Sequence, residues 1–262
     1  MRLAWITDPH LNFVKLEERN RFYASIRQSN PDAVLIGGDL GEAPTLLGIL
    51  AEMKRALAMP LYFVLGNHDF YHSSVADVRS TVLELEAPQL VWLTETGVHL
   101  VTENTALVGD DGWADGRLGD YAGSSVFLND YMLINEFVGL GKIERLTRLN
   151  ALGDAAAARV KAKLEEACIL RKQVILLTHV PPFREACWHE GRPSDPDWLP
   201  HFSCKAMGDA ILEVMDEHPE CRLSVLCGHT HAAGVAHLRP NVTVHTGGAV
   251  YGRPALQQVL EA

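Results

Sequence analysis

The chain has 262 residues, 47% of them hydrophobic, and 23 Lys+Arg against 33 Asp+Glu give a formal net charge of −10. The apolar share is enough for a sizeable core and excludes global disorder. The acidic balance excludes a module that coats a nucleic-acid backbone, because such binding relies on basic side chains neutralising phosphates. A small anionic substrate stays compatible, since bound divalent cations would reverse the local field.

The five cysteines, Cys168, Cys187, Cys204, Cys221 and Cys227, are odd in number and form no C-x-x-C pair. Reduced thiols in a cytoplasmic protein are therefore expected. The opening MRLAWITDPH carries an apolar stretch too short for a signal peptide. No run approaches the roughly 20 apolar residues of a membrane span, so no membrane contact is expected.

In chain order, Leu3–Thr7, Ala33–Ile36 and Leu61–Leu65 are near-continuous apolar runs, as strands buried on both faces show. Helical stretches lie between them, at about Lys15–Ser29 and Thr45–Ala58, the second closed by Pro60. This alternation implies βαβ units and a mainly parallel sheet. Leu90–Leu93, Gly97–Val101 and Thr105–Val108 are spaced for hairpins, with Gly97 and Glu103-Asn104 as turns. A long helix over Ile143–Leu170 includes the helix-favouring Ala155–Ala158. Strands are again expected at Val174–Thr178, Leu223–Cys227, Val235–Leu238, Val242–His245 and Gln257–Leu260. With no repeat, linker or charge block, the pattern fits one domain over residues 1–262, with two packed sheets and outer helices.

The residues just past each buried strand carry the chemistry. LAWIT leads to Asp8-Pro9-His10, AVLIGG to Asp39, LYFVLG to Asn67-His68-Asp69, VILLT to His179, and LSVLCG to His229-Thr230-His231. Ligand crevices of open α/β sheets lie outside the carboxyl ends of the strands, so these distant side chains can converge. Polar residues begin many loops, but that alone explains poorly why five strands all end in potential metal ligands. In extended backbone, residues i and i+2 point to the same side, which lets Asp8 with His10, and His229 with His231, each offer two ligands. Carboxylates, imidazoles and one amide oxygen suit Mn, Fe, Zn or Co better than Ca, and no thiolate takes part. Seven ligands exceed one ion's need and suffice for two if a carboxylate bridges; Asp39 is the natural bridge.

The ordered set D-x-H, GGD, GNHD, a lone His after an apolar strand, and GHTH resembles the calcineurin-like metallophosphoesterase superfamily from residue 8 to residue 231. The resemblance implies an α/β fold, a two-sheet β-sandwich flanked by helices in four αββα layers. It implies that Asp8, His10, Asp39 and His231 bind one divalent metal ion (Mn, Fe or Zn), and that Asp39, Asn67, His179 and His229 bind a second. It further implies that His68 acts near the leaving group, with Asp69 orienting its imidazole by hydrogen bonding. The expected activity is hydrolysis of a small phosphorylated substrate, a phosphomonoester or phosphodiester, by a hydroxide bridging the metals, with His68 as general acid. The alternatives are pyrophosphate hydrolysis of nucleotide-type substrates and a non-catalytic binding module on the same fold. The protein-phosphatase branch continues GD with V-D-R-G; here Leu40-Gly41-Glu42-Ala43 follows Asp39, so its phosphate-binding arginine has no counterpart.

Two further segments are candidate walls. Residues 181–207 are long for a bare connection, and their Trp188, Trp198 and Phe202 fit a partly ordered flap over the site. Arg184, His189, Arg192 and Lys205 could contact substrate there. Asp110–Arg117 is Gly- and Asp-rich and reads as a loop at the same crevice, its carboxylates being extra ligands or solvated turn residues.

Overall fold

The computed structural model describes residues 1–85 and 87–262. The early βαβ expectation is met. Strands β1 (Arg2–Ile6), β2 (Ala33–Gly37), β3 (Leu61–Val64) and β4 (Leu90–Trp92) pair in parallel, and the last strand, β13 (Gln258–Glu261), adds antiparallel to β1. A second sheet has the order β11-β12-β10-β7-β6-β5. Its parallel centre is β6 (Thr105–Asp110), β7 (Gln173–Thr178), β10 (Arg222–Cys227) and β12 (Val242–Thr246). Its edges, β5 (His99–Leu100) and β11 (Gly234–Arg239), are antiparallel.

Alternation along the strands builds the layers. Leu3, Trp5 and Leu35 from the first sheet meet Leu107, Ile175, Leu177 and Leu226 from the second in one buried cluster. The intervening residues Ala4, Ile6, Val34 and Ile36 face outward onto α1 (Leu16–Gln28) and α2 (Ala43–Leu57). On the far side Val174, Leu176, Leu223 and Val225 pack against α5 (Lys142–Leu170) and α7 (Lys205–Glu217). Each large aliphatic side chain so buried contributes about 1.5–3 kcal/mol. The result is the expected four-layer αββα sandwich. In α2 the spacing of Leu46, Ile49, Leu50, Met53 and Leu57 puts one apolar face on the sheet. Pro44 sits in its first turn, and Ala58 ends it in the left-handed region.

The middle of the chain departs from the hairpin expectation. The strand at Leu90–Trp92 pairs in parallel with β3 in the first sheet, so Gly97 lies on a crossing between sheets rather than in a hairpin turn. Only β5 and β6 form the expected hairpin, through Glu103-Asn104. Trp92, paired with Phe63 of β3, also donates its indole N–H to the buried Asp111 carboxylate at the end of β6. Helix α3 (Val75–Leu83) and the short helix α4 (Asp130–Leu133) are additions to the expected elements, as is α7 beyond its first turn.

The Asp110–Arg117 segment is not solvated, because Asp110, Asp111 and Asp115 are all 1% exposed or less. Asp110 receives two hydrogen bonds from Arg159 of α5. Asp111 accepts from Leu65 N (2.8 Å), Trp92 Nε1 (2.9 Å), Thr94 Oγ1 (2.7 Å) and Arg79 Nη2 (3.1 Å). One carboxylate thus ties the ends of β3 and β4 to the end of β6, across the two sheets. Replacing Asp111 with Ala leaves those buried donors without an acceptor and is expected to lower unfolding free energy by roughly 3–5 kcal/mol, read from urea denaturation. A loss below about 1 kcal/mol would show that the sheets do not depend on this tie.

Candidate metal centre

Parallel strands of both sheets end at the same edge of the sandwich, and the tight segments after them deliver the polar side chains. Asp8, His10, Asp39, His229 and His231 all have positive φ, between 41° and 69°. Left-handed backbone at non-glycine residues costs on the order of 1 kcal/mol or more each. Five such residues at one place turn their side chains inward. Gly66 and Gly228 complete the approach, because a Cβ on either would overlap the carboxylate of Asp39 or Asp8 respectively.

Two groups of donors result. Asp8, His10, Asp39 and His231 each place one ligand atom within 4.8 Å of the others. His10 Nε2 lies 3.1 Å from His231 Nε2, and His231 Nε2 lies 3.5 Å from Asp8 Oδ1. The second group gathers on Asn67 Oδ1, which is 3.1 Å from His179 Nε2 and 2.9 Å from His229 Nδ1. The partners set the tautomers: His179 Nδ1–H donates to Gly37 O (2.8 Å) and His229 Nε2–H donates to His201 O (3.0 Å). Both remaining nitrogens therefore point lone pairs at an amide oxygen that also only accepts. Such a cluster repels itself unless a cation lies between its members. Two ligands about 2.1 Å from one ion and at right angles are about 3 Å apart, which these separations match.

Asp39 joins the groups, with Oδ2 3.7 Å from His10 Nε2 and Oδ1 3.5 Å from His179 Nε2. Burial, then the Asp8 and Asp69 carboxylates, push its pKa well above the usual range. Burial holds the pKa of His10 and His229 to about 3, so both imidazoles are neutral and free to coordinate. The oxygen and nitrogen donors fit divalent cations.

The amide of Asn67 is fixed from behind. Its Nδ2 donates to Asp130 Oδ1 at 2.8 Å, and Tyr71 OH donates to the same oxygen at 2.6 Å. A carboxylate only accepts, so Nδ2 must face Asp130 and Oδ1 must face the imidazoles. Nothing in the sequence marks Asp130 or Tyr71 for this task; they meet Asn67 only in the folded chain.

One expected pairing is absent. Asp69 does not orient His68: its oxygens accept from Gly41 N (3.0 Å) and Gly66 N (2.9 Å), bracing the loop backbone. His68 Nδ1 is buried without a partner. Its ring is held by packing, 4.3 Å from Tyr71 and edge-on to His10 at 4.7 Å, with Nε2 4.0 Å from Asp39 Oδ2. Burial, then the neighbouring imidazoles, lower the His68 pKa to about 2.

A cleft of about 240 Å³ opens on the donors, lined in part by His68, Tyr71, Asp130 and Tyr251. The 181–207 segment supplies His189, Trp198 and Phe202 to its wall, using a hairpin of β8 (Trp188–His189) with β9 (Arg192–Pro193) and the short α6 (Leu199–Phe202). Arg184, Arg192 and Lys205 do not line it. Lys205 instead pairs with Asp209.

The profile of the Calcineurin-like phosphoesterase family matches residues 1–233. Among solved structures, a phosphopantetheinyl hydrolase from Mycobacterium tuberculosis is similar with a TM-score of 0.66 at 17% identity, over 96% of this chain and 90% of that one. A dimetal phosphatase from Danio rerio gives 0.61 at 15% identity, over 95% and 87%. The Thermus thermophilus protein TT1561 gives 0.56 at 17% identity, over 94% and 88%. At these identities the likeness concerns the fold. Comparison with curated protein sequences returned no match.

The two donor groups predict two equivalents of bound Mn²⁺. At about 100 times its Kd, each bound ion should stabilise metal-stripped protein by roughly 2.7 kcal/mol, or about 5–10 °C in Tm per site for a chain of this size. Asp130→Ala, by freeing the Asn67 amide, should weaken one equivalent by roughly 10–100-fold and spare the other in a calorimetric titration. Equal weakening of both would show that Asp130 serves general stability instead.

Proposed function

The chain belongs to the calcineurin-like phosphoesterase family, and from that premise we propose that it is a dinuclear metal-dependent phosphoesterase hydrolysing a small phosphomonoester or phosphodiester. The observation that carries the reading is the sharing of Asp39 between two groups of carboxylate, amide and imidazole donors. Two proteins of similar fold, a phosphopantetheinyl hydrolase and a dimetal phosphatase, support it. A non-catalytic module would be expected to have lost donors, and this sequence carries all seven candidates.

Two bound cations would supply an activated water nucleophile near neutral pH and offset charge developing on the phosphoryl oxygens. The chain's own residues do the rest. Asp8, His10, Asp39 and His231 would hold one ion, and Asp39, Asn67, His179 and His229 would hold the other. Asp130 and Tyr71 keep the Asn67 oxygen presented. His68, packed between Tyr71 and His10, faces the cleft beside Asp39 and gives a proton or hydrogen bond to the leaving oxygen. Burial lowers its pKa, and a neutral ring still offers one N–H to the leaving oxygen. The flap at 181–207 closes one side of the cleft. Five free cysteines support placement in a reducing, cytoplasmic setting, and no helix among the described residues is long and apolar enough to cross a membrane.

His68→Ala should retain both metal equivalents while kcat falls roughly 10²–10⁴-fold. Asp39→Ala should lose metal and activity together. Elemental analysis of the two purified variants, alongside rates on p-nitrophenyl phosphate and its diester, checks this. The division of roles fails if the variants lose metal equally.

A further inference from the structure

The His201 side chain, which belongs to neither donor group, is held as firmly as its carbonyl. The ring is buried. Burial, then the nearby Arg145 charge, lowers its pKa to about 4, so it carries one N–H donor and one acceptor. Ser124 Oγ gives its single hydrogen to Asp197 O at 2.8 Å, so it accepts from His201 Nε2–H at 3.1 Å. His201 Nδ1 is then the acceptor, and Tyr131 OH donates to it at 2.6 Å. Tyr131 is itself buried, with the Arg145 guanidinium over its ring at 4.2 Å.

Tyr131 follows Asp130 in α4, and neighbouring helical residues point about 100° apart. The two therefore reach different places. Asp130 Oδ1 takes the Asn67 amide at 2.8 Å, and Tyr131 takes His201. His201 O in turn accepts from His229 Nε2–H at 3.0 Å. Asn67 and His229 belong to the same donor group, and none of these bonds goes to Asp8, His10 or His231. We propose that Tyr131 is a positioning residue for the second metal ion. In this arrangement α4 is a clamp that presents the Asn67 oxygen through Asp130 and the His229 Nδ1 lone pair through His201. This rests on the two-ion reading and deepens it, naming the element that keeps the second site in shape. Without the Tyr131 hydroxyl, the buried Nδ1 of His201 has no donor, and the ring is free to turn and to carry its carbonyl with it. His229 Nε2–H then loses its fixed acceptor. Such a bond sets the orientation of a ligating imidazole, and losing it lowers metal affinity by about 10–100-fold.

Calorimetric titration of the metal-stripped full chain with Mn²⁺ tests this without any turnover. Tyr131→Phe keeps the ring and should weaken one of the two equivalents by roughly tenfold, leaving the other unchanged. His229→Ala should keep a single equivalent, the one on Asp8, His10, Asp39 and His231. Adding Tyr131→Phe to that variant should change the remaining affinity no further. His201→Asn, whose amide oxygen can take the Tyr131 hydrogen bond, should retain more of the second equivalent than His201→Ala. Equal weakening of both equivalents in Tyr131→Phe overturns the proposal, because the hydroxyl then serves only the fold. So does further weakening in the His229→Ala background, or a Tyr131→Phe protein that binds both ions as tightly as the parent. A parent protein that binds only one equivalent would instead remove the two-ion reading, and this inference with it.

Discussion

Asp39 is buried at the meeting point of two groups of carboxylate, amide and imidazole side chains, and no lysine or arginine among the described residues forms an ion pair with it. Bare, the arrangement is electrostatically unfavourable: carboxylates crowd one another and imidazole lone pairs face an amide oxygen. The fold nonetheless holds it together with strained backbone at five donors and with glycines where any side chain would collide. Local structure that costs stability persists when the surroundings over-determine it, and such positions cluster at functional sites. Divalent cations between the donors would offset these repulsions together.

The support around the donors is divided between two kinds of element. Backbone groups fix the imidazoles: Gly37 O and His201 O set the tautomers of His179 and His229. Buried carboxylates fix the frame, with Asp111 joining the sheets, Asp69 bracing the GNHD loop and Asp130 holding Asn67. Acidic residues therefore serve three separate tasks at this edge of the sandwich, and only Asp8 and Asp39 face the place where cations would sit.

The strands, the two sheets and the convergence of Asp8, Asp39, Asn67, His179 and His229 are readable because buried strands are continuous in sequence and their ends are punctuated by unusual residues. The unreadable part depends on contacts made across the chain. Leu90–Trp92 resembles half of a hairpin because short apolar runs do not announce their partner; in the fold it pairs in parallel with Leu61–Phe63, far back along the chain. Asp110, Asp111 and Asp115 resemble turn residues because their arginine and backbone partners lie far along the chain. The expected His68–Asp69 pair fails for a local reason: adjacent residues in a tight 3₁₀ turn point apart, and Asp69 bonds backward to Gly66 N.

The hold of the 181–207 segment on His229 runs through a main-chain carbonyl, that of His201. A carbonyl belongs to a position, not to a residue type. Relatives could therefore vary the side chains of this stretch other than His201 widely while keeping the imidazole in place. A one-residue insertion or deletion within the short helix Leu199–Phe202 would turn that oxygen away. Length, more than identity, is what natural variation should preserve here.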